Sequence, residues 1–357
     1  MNTKPKALYI RRDHSREPLK KRIVSTWRHF AYYTGQEGFF EEALASQFDV
    51  TEQTAEAFLK SGKNAQGYDA VVVNFKCDHK AIASDRYEAM RIIAEGVSVP
   101  TVLFIGLDRA AHMPVNEVLD QYDVVVKREP FIDRDRYSLS ESNKHKIIAS
   151  MLSCPLLRRE KTPIVKPITW LTNQRQTAQE NEAYKYDVFF SGAVTRENDV
   201  RPDVWRRVLE EPDINAYGGL QPSASRDRLP DPELEFGKLT PQEFIDTIHR
   251  SKINLALDGI GEFTYRHNEL WHLGAFMISS PSFRDLEIPL PAKEDVHYVS
   301  YNNLDELIEK IHYYLEHDAE RNKIAHAGKE MFDQYYNPKS HGRDIKQAVD
   351  QLRISGE

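Results

Sequence analysis

The chain has 357 residues, enough for about two domains. Its 48 Lys and Arg stand against 55 Asp and Glu, a net charge of −7, which excludes a chain built chiefly to coat nucleic acid. Hydrophobic residues at 40% and aromatic residues at 10% supply a core and exclude extended disorder.

In chain order, residues 6–10 (KALYI) predict a short first strand. A basic stretch with Arg11, Arg12, Arg16, Lys20, Lys21 and Arg22 follows it, and residues 39–47 predict an amphipathic helix. Residues 68–75, 100–105 and 123–126 are β-branched and apolar, the pattern of strands buried on both faces of a parallel sheet. A helix over 87–95 lies between the first two. The pattern lapses from 150 to 169, where Pro155, Pro163 and Pro167 mark a linker.

Alternation then resumes. Strands are expected at 186–190, closed by Ser191-Gly192, and at 214–217, closed by a Gly218-Gly219 turn. A polar, Pro-rich loop covers 221–235. A helix opens at Thr240, with Pro241 in its first turn and Glu243 three residues on. Strands at 253–257, 276–279 and 299–301 and helices over 268–273, 304–316, 318–336 and 340–354 complete the chain. The expected fold class is α/β, with two tandem Rossmann-like doubly wound domains facing a cleft. The expected boundaries are 1–160, 161–337 and a final helix, 338–357, returning to the first domain.

The two cysteines, Cys77 and Cys154, are too few for a disulfide framework or a four-cysteine zinc site and fit a reducing, cytoplasmic setting. No apolar run reaches membrane-spanning length, and residues 1–6 do not read as a signal peptide.

The densest constellation is LDGIGEFTYRHNELWHLG, residues 257–274. A strand ends there, a loop with Gly259, Gly261 and Glu262 follows, and a helix begins near Arg266. A helix N-terminus offers unpaired N–H groups to an anion. Arg266 adds a fixed cation, and Glu269, one turn on, faces the same space. A diphosphate suits the arginine and the helix end, and a ribose diol suits the carboxylate. An ordinary intrahelical ion pair has the same spacing.

Residues 186–337 resemble the donor-binding half of glycosyltransferases with the two-Rossmann, GT-B architecture. HNELWHLGAFMISS is similar to that family's Glu-bearing helix, glycine and apolar strand, with Glu269 and Gly274 in those positions. GKLTPQEFIDTIHRSKINLAL and YDVFFSGAVTRENDVRPDVWRRVL resemble the preceding segments. The similarity is greatest to the spore-maturation-type members. The phage DNA β-glucosyltransferase is a more distant likeness, with Arg-x-x-Glu where this chain has Arg266 to Glu269. Retaining group 1 members carry a glutamate pair spaced one residue wider than Glu262 and Glu269, and this departure leans the expected outcome toward inversion.

The resemblance implies a nucleotide-sugar donor, most simply a UDP-sugar, with no other cofactor and no metal. It implies donor contacts from Ser191, Gly192, Lys238, Tyr265, Arg266, Asn268 and Glu269. An inverting transfer needs a general base, and Asp108, in Leu107-Asp108-Arg109 after a buried strand, is the expected one. Arg11, Arg12 and His112 are expected on the acceptor side. The acceptor itself, whether glycan, lipid-linked or nucleic acid, stays open, as does the oligomeric state. Alternatives are a phage-type glucosyltransferase of a modified DNA base, a nucleotide-sugar epimerase or hydrolase, and a non-catalytic nucleotide- or glycan-binding protein.

Asp133-Arg134-Asp135 spells a metal-binding triplet of single-domain glycosyltransferases, but it leaves the second Rossmann-like half unexplained. Gly259-Ile260-Gly261 lacks the third glycine of a dinucleotide fingerprint.

Overall fold

The computed structural model describes residues 4–11, 36–157, 184–194, 200–222 and 231–355, with side chains to 352. Two compact units divide the chain. Unit 1 comprises Met1–Ser153, Glu287–Pro289 and Asn337–Glu357, and unit 2 comprises Cys154–Leu286 and Leu290–Tyr336.

Unit 1 runs β1 (Lys6–Arg11), α1 (Gly38–Gln47), β2 (Asp49–Thr54), α2 (Ala55–Lys60), β3 (Ala70–Asn74), α3 (Arg86–Ala94), β4 (Thr101–Ile105), α4 (Asn116–Leu119), β5 (Val124–Arg128), α5 (Glu141–His145) and β6 (Ile147–Ser150). The strands form one sheet in the order β2-β1-β3-β4-β5-β6, and every pairing is parallel. β3, β4 and β5 are buried at all five positions. Each is a run of mostly β-branched or aromatic residues that can pack on both faces at once. Odd and even positions separate two cores. Val71, Val73, Leu103 and Ile105 meet α3, and Val72, Val102 and Phe104 meet α1.

Two of the strands were not expected. β2 reads DVTEQT and is largely exposed, an edge strand whose polar side chains carry no hydrophobic signal. β6 is only four residues long.

Unit 2 runs β7 (Tyr186–Ala193), α6 (Val200–Leu209), β8 (Ala216–Gln221), α7 (Pro241–His249), β9 (Ser251–Ala256), α8 (Tyr265–Leu273), β10 (Met277–Ser279), β11 (Val299–Ser300), α9 (Leu304–Glu316) and α10 (Asp318–Tyr335). Its sheet has the order β11-β10-β9-β7-β8, again all parallel. The core joins Val188, Phe190, Ile253, Leu255 and Ile278 to Trp205 and Val208 of α6 and Leu307 and Ile311 of α9. α7 is held by the reciprocal Thr240–Glu243 cap, and α8 ends on Gly274 at φ +66°.

The Tyr217-Gly218-Gly219 turn is corrected, because these residues lie inside β8. Their φ values of +121° and +148° belong to glycine, and a Cβ on Gly218 would fall 1.8 Å from the Phe190 carbonyl oxygen. The glycines let β8 crowd β7 rather than end it.

The last helix, α11 (Pro338–Ser355), belongs to unit 1 and packs on α1. The crossing is close because Gly342 lies on it, where a Cβ would sit 2.2 Å from the Ala43 oxygen. Among the described residues no helix is long and apolar enough to cross a membrane.

Candidate functional site

In a doubly wound sheet, ligands bind beyond the carboxyl ends of the strands where the strand order reverses. In unit 2 the chain leaves β7 for β8 on one side and returns to β9 on the other, so the reversal lies between β7 and β9. Two arginines meet there. Arg266, in the first turn of α8, donates from Nη2 to the Ser191 carbonyl at 2.8 Å, and its guanidinium lies 4.1 Å from the centre of the Phe244 ring. Arg201, in the first turn of α6, donates to the carbonyls of Ala193 and of Leu257, the latter at 3.1 Å, and so ties the end of β7 to the end of β9.

Burial lowers the pKa of both groups. Arg201 falls to about 10, through desolvation first and the neighbouring Arg266 cation second. Arg266 is lowered by desolvation and partly restored by Glu269. The Nε of Arg201 is buried without a hydrogen-bond partner. Two like charges held this close, one of them under-satisfied, form a site complementary to a multivalent anion.

Glu269 stands one turn along α8, its Oε2 3.7 Å from Arg266 Nε, and the two side chains keep 14% and 17% of their exposure. Desolvation raises the Glu269 pKa, and the Arg266 charge opposes that rise. The expected pair therefore lies at the sheet's binding edge and is not an exposed surface pair. Beside it, Asp258 follows β9, and Ser282 Oγ donates to its carboxylate at 2.6–2.7 Å. Burial pushes the Asp258 pKa up to about 6.

Unit 1 has the same topology, with its reversal between β1 and β3. Asn74 ends β3 there. Its amide nitrogen donates to Tyr9 Oη at 2.8 Å and to Glu37 Oε2 at 2.7 Å, and its oxygen accepts the Lys76 backbone N–H at 2.8 Å. Lys76 Nζ lies 3.6 Å from Glu37 Oε1 and donates to Gln36 at 2.6 Å. Asp108 follows β4, and its Oδ1 accepts from Arg128 Nη2 at 2.9 Å. Arg128 is 1% exposed and also bonds Glu129 at 2.7 Å and the Gly106 carbonyl at 3.2 Å.

Residues 206–347 match the glycosyl transferase-like family. HepE of Anabaena, solved with UDP and glucose, is 12% identical over 97% of this chain and 100% of its own, at a TM-score of 0.54. The sucrose-phosphate synthase of Thermosynechococcus elongatus is 11% identical over 99% and 100%, at 0.55. The chain has the GT-B fold of these neighbours, and its residues 206–347 are glycosyl transferase-like. The T4 phage BGT, solved with UDP-glucose, scores 0.43 at 12% identity over 97% and 99% and carries no weight for the fold. No curated protein sequence matches the chain.

The GT-B frame gathers some of the expected residues and disperses others. Ser191 joins Arg266 through its carbonyl, while its Oγ accepts from Gln221 at 3.2 Å. Gly192 was expected as a donor contact, and Gly259 lies in the loop before α8. Both make room for Arg201, whose Nη atoms lie 3.2 and 3.0 Å from the positions their Cβ atoms would take. Tyr265 opens α8 half-buried, and Lys238 is exposed in the loop before α7. Asn268 is 0% exposed, with its carbonyl 3.7 Å from Cys154 Sγ, so it has no surface for a ligand.

In unit 1, His112 is exposed in the turn after β4. Arg11 is paired with Glu52 at 2.7 Å and Glu41 at 3.7 Å. Arg12 and the rest of the basic stretch lie outside the described residues. Asp133 caps a short turn through the Asp135 N–H at 2.9 Å, and Asp135 pairs with Lys144, which uses both carboxylates locally.

Arg201, Asp258, Glu37 and Asn74 were not singled out by sequence reasoning. The available signal was position: each follows, ends or opens an element at the reversal point of a βαβ sheet.

Proposed function

We propose that the protein transfers a sugar from a nucleoside-diphosphate sugar, most simply a UDP-sugar, to an acceptor hydroxyl, without a metal and with inversion. The observation that carries this reading is the Arg201–Arg266 pair at the β7/β9 reversal, with Glu269 one helical turn further on. On this reading the two guanidinium groups and the N–H groups opening α8 hold the diphosphate. Ser191, Gly192 and Tyr265 border it, and Glu269 takes the ribose hydroxyls. Lys238 reaches the leaving group from its loop.

Negative charge grows on the diphosphate as the glycosidic bond breaks. Fixed cations already in place stabilise that charge without reorganising, the task a divalent metal performs elsewhere. HepE, which shares the fold, is described with UDP and glucose, and this supports a uridine donor.

Asp108 and its neighbours at the carboxyl edge of unit 1 form the acceptor side. The buried free thiols Cys77 and Cys154 suit a reducing compartment, which supports a cytoplasmic enzyme. The net charge of −7 disfavours DNA as acceptor.

Calorimetric titration with UDP, UDP-glucose and pyrophosphate tests the donor half. Selective UDP binding, lost in Arg266→Ala, is expected, and absence of nucleotide binding refutes the reading. Incubation with UDP-glucose alone separates transfer from epimerisation or hydrolysis, which need no acceptor.

A further inference from the structure

Inverting transfer needs one carboxylate or imidazole to take the acceptor's proton. At the carboxyl edge of unit 1, Glu41 and Glu52 are paired with Arg11 and Glu129 is buried, and Glu37 and Asp108 are the two carboxylates to weigh. We propose that Glu37 takes it, from the hydroxyl of a neutral, polyhydroxylated acceptor, while Asp108 acts as counter-ion to Arg128. This rests on the glycosyl-transfer reading above.

Topology favours Glu37. The sheet order β2-β1-β3-β4-β5-β6 reverses between β1 and β3, and Glu37 is bonded to Asn74, the last residue of β3. Asp108 follows β4, one strand away from that reversal.

The hydrogen bonds favour it as well. Asn74 spends both amide hydrogens on Tyr9 and Glu37, and its oxygen on the Lys76 N–H, so flipping the amide would break the bonds to Glu37 and to Lys76. Glu37 is thus aimed by a locked neutral donor. Asn74 itself is only 2% exposed, while the Glu37 side chain keeps 24% of its exposure. Asp108 answers the guanidinium of an almost fully buried Arg128, a charge that is costly to leave without partners.

The charge balance points to the class of acceptor. Among the described residues at this edge, Arg11, Lys76, Arg128 and Lys127 each have an anion or carbonyls to answer them. Arg11 meets Glu41 and Glu52, Lys76 meets Glu37, and Arg128 meets Asp108 and Glu129. Lys127 donates to the carbonyls of Leu107, Arg109 and Arg128. None of these four described cations is left over for a phosphate. Paired carboxylates and an ammonium group offer the mixed donors and acceptors that hydroxyls use.

In the step itself, the acceptor O–H proton passes to a Glu37 carboxylate oxygen. The freed oxygen pair forms the bond to the anomeric carbon. The carbon–oxygen bond to the diphosphate breaks, and its electron pair leaves on the diphosphate. The proton then passes from Glu37 to solvent.

The test compares wild type, Glu37→Gln, Glu37→Ala and Asp108→Ala in UDP release from UDP-glucose. Neutral mono- and disaccharides and their phosphorylated counterparts serve as acceptors, and UDP affinity is measured separately. The Glu37 variants are expected to lose about 100-fold or more in kcat, the usual share of a general base. UDP affinity should stay within about twofold, and added formate should restore turnover in Glu37→Ala but not in Asp108→Ala. Neutral saccharides should outperform phosphorylated ones. A Glu37→Gln rate within about threefold of wild type, or formate rescue of Asp108→Ala alone, overturns the assignment. Loss of UDP binding in the wild type would instead sink the donor reading, which concerns unit 2.

Discussion

Replacing Arg201 by glutamine separates what this residue costs the empty protein from what it gives the ligand. Lowering a guanidinium from its ordinary value to about 10 amounts to about 3 kcal/mol against the charged form in the folded state. The same side chain donates to the Ala193 and Leu257 carbonyls, and charged hydrogen bonds of this kind return about 1.5–3 kcal/mol each. The two contributions oppose each other, and glutamine still reaches one carbonyl. The ligand-free melting temperature should therefore move little. With UDP the sign is clear, because one charge-assisted contact to the diphosphate disappears, weakening Kd by about 10- to 150-fold. At a UDP concentration near 100 times the wild-type Kd, ligand stabilisation of about 2.7 kcal/mol should fall to about 0.3–1.4 kcal/mol. Differential scanning fluorimetry with and without UDP reads both effects. A variant that keeps the full UDP-dependent shift refutes the idea that the paired arginines form the diphosphate site.

Further outcomes follow from other contacts. Arg266→Ala should weaken both UDP and pyrophosphate, whereas Glu269→Ala should weaken UDP and spare pyrophosphate, because only the nucleoside brings a diol; equal losses for both ligands in Glu269→Ala would contradict its assignment. Gly328→Ala, favoured by about 1 kcal/mol on helix propensity, should nevertheless destabilise by about 1–3 kcal/mol. Its Cβ would lie 2.7 Å from the His297 oxygen and 2.8 Å from Trp271 Cδ1, against the Trp271–His297 hydrogen bond, and urea denaturation gives the sign. Acid should destabilise the fold, since burial holds His267 down to about 3 and His341 to about 4. The unfolded chain takes up these protons near pH 6.5 and the native one does not, so stability falls below pH 6.5 by about 1.4 kcal/mol per pH unit for each histidine. Asp258, raised to about 6, has the opposite sign and offsets about one histidine as pH falls from about 6 toward 4. An unchanged urea midpoint between pH 7 and pH 5 would count against this account.

The apolar strands were legible because burial on both faces leaves long runs of valine and isoleucine, as in AVVVN and TVLFI. β2 was not, because an edge strand needs no hydrophobic face. Gly218 and Gly219 read as a turn because glycine signals positive φ without saying whether a turn or a crowded strand requires it. At the candidate site, the Arg266–Glu269 spacing was legible because both residues sit on one helix. Arg201 was not, since it meets Arg266 only when α6 and α8 are brought to the same strand ends. Asn268, next to Glu269 in sequence, is fully buried. A motif gives the spacing along a helix, and packing decides which of its faces meets a ligand.

The two sheets share an all-parallel topology with one reversal each, yet the chemistry at the two reversals differs in kind. At β7/β9 two guanidinium groups lie at one set of strand ends, and the Arg201 charge is opposed first by burial and then by the Arg266 cation. At β1/β3 Arg11 and Lys76 are answered, and the free capacity is that of hydrogen bonding. A site that keeps like charges together destabilises the empty state and is relieved only by an anion, so it selects for charge. A balanced site gives a phosphate no comparable relief and selects for hydroxyl geometry. That asymmetry is what a sugar-transfer reaction requires, with a dianionic leaving group on one substrate and a neutral nucleophile on the other. It predicts that rising salt weakens UDP binding while leaving the KM of a neutral saccharide acceptor nearly constant. Equal salt sensitivity of the two in steady-state kinetics would show that the second site recognises charge after all.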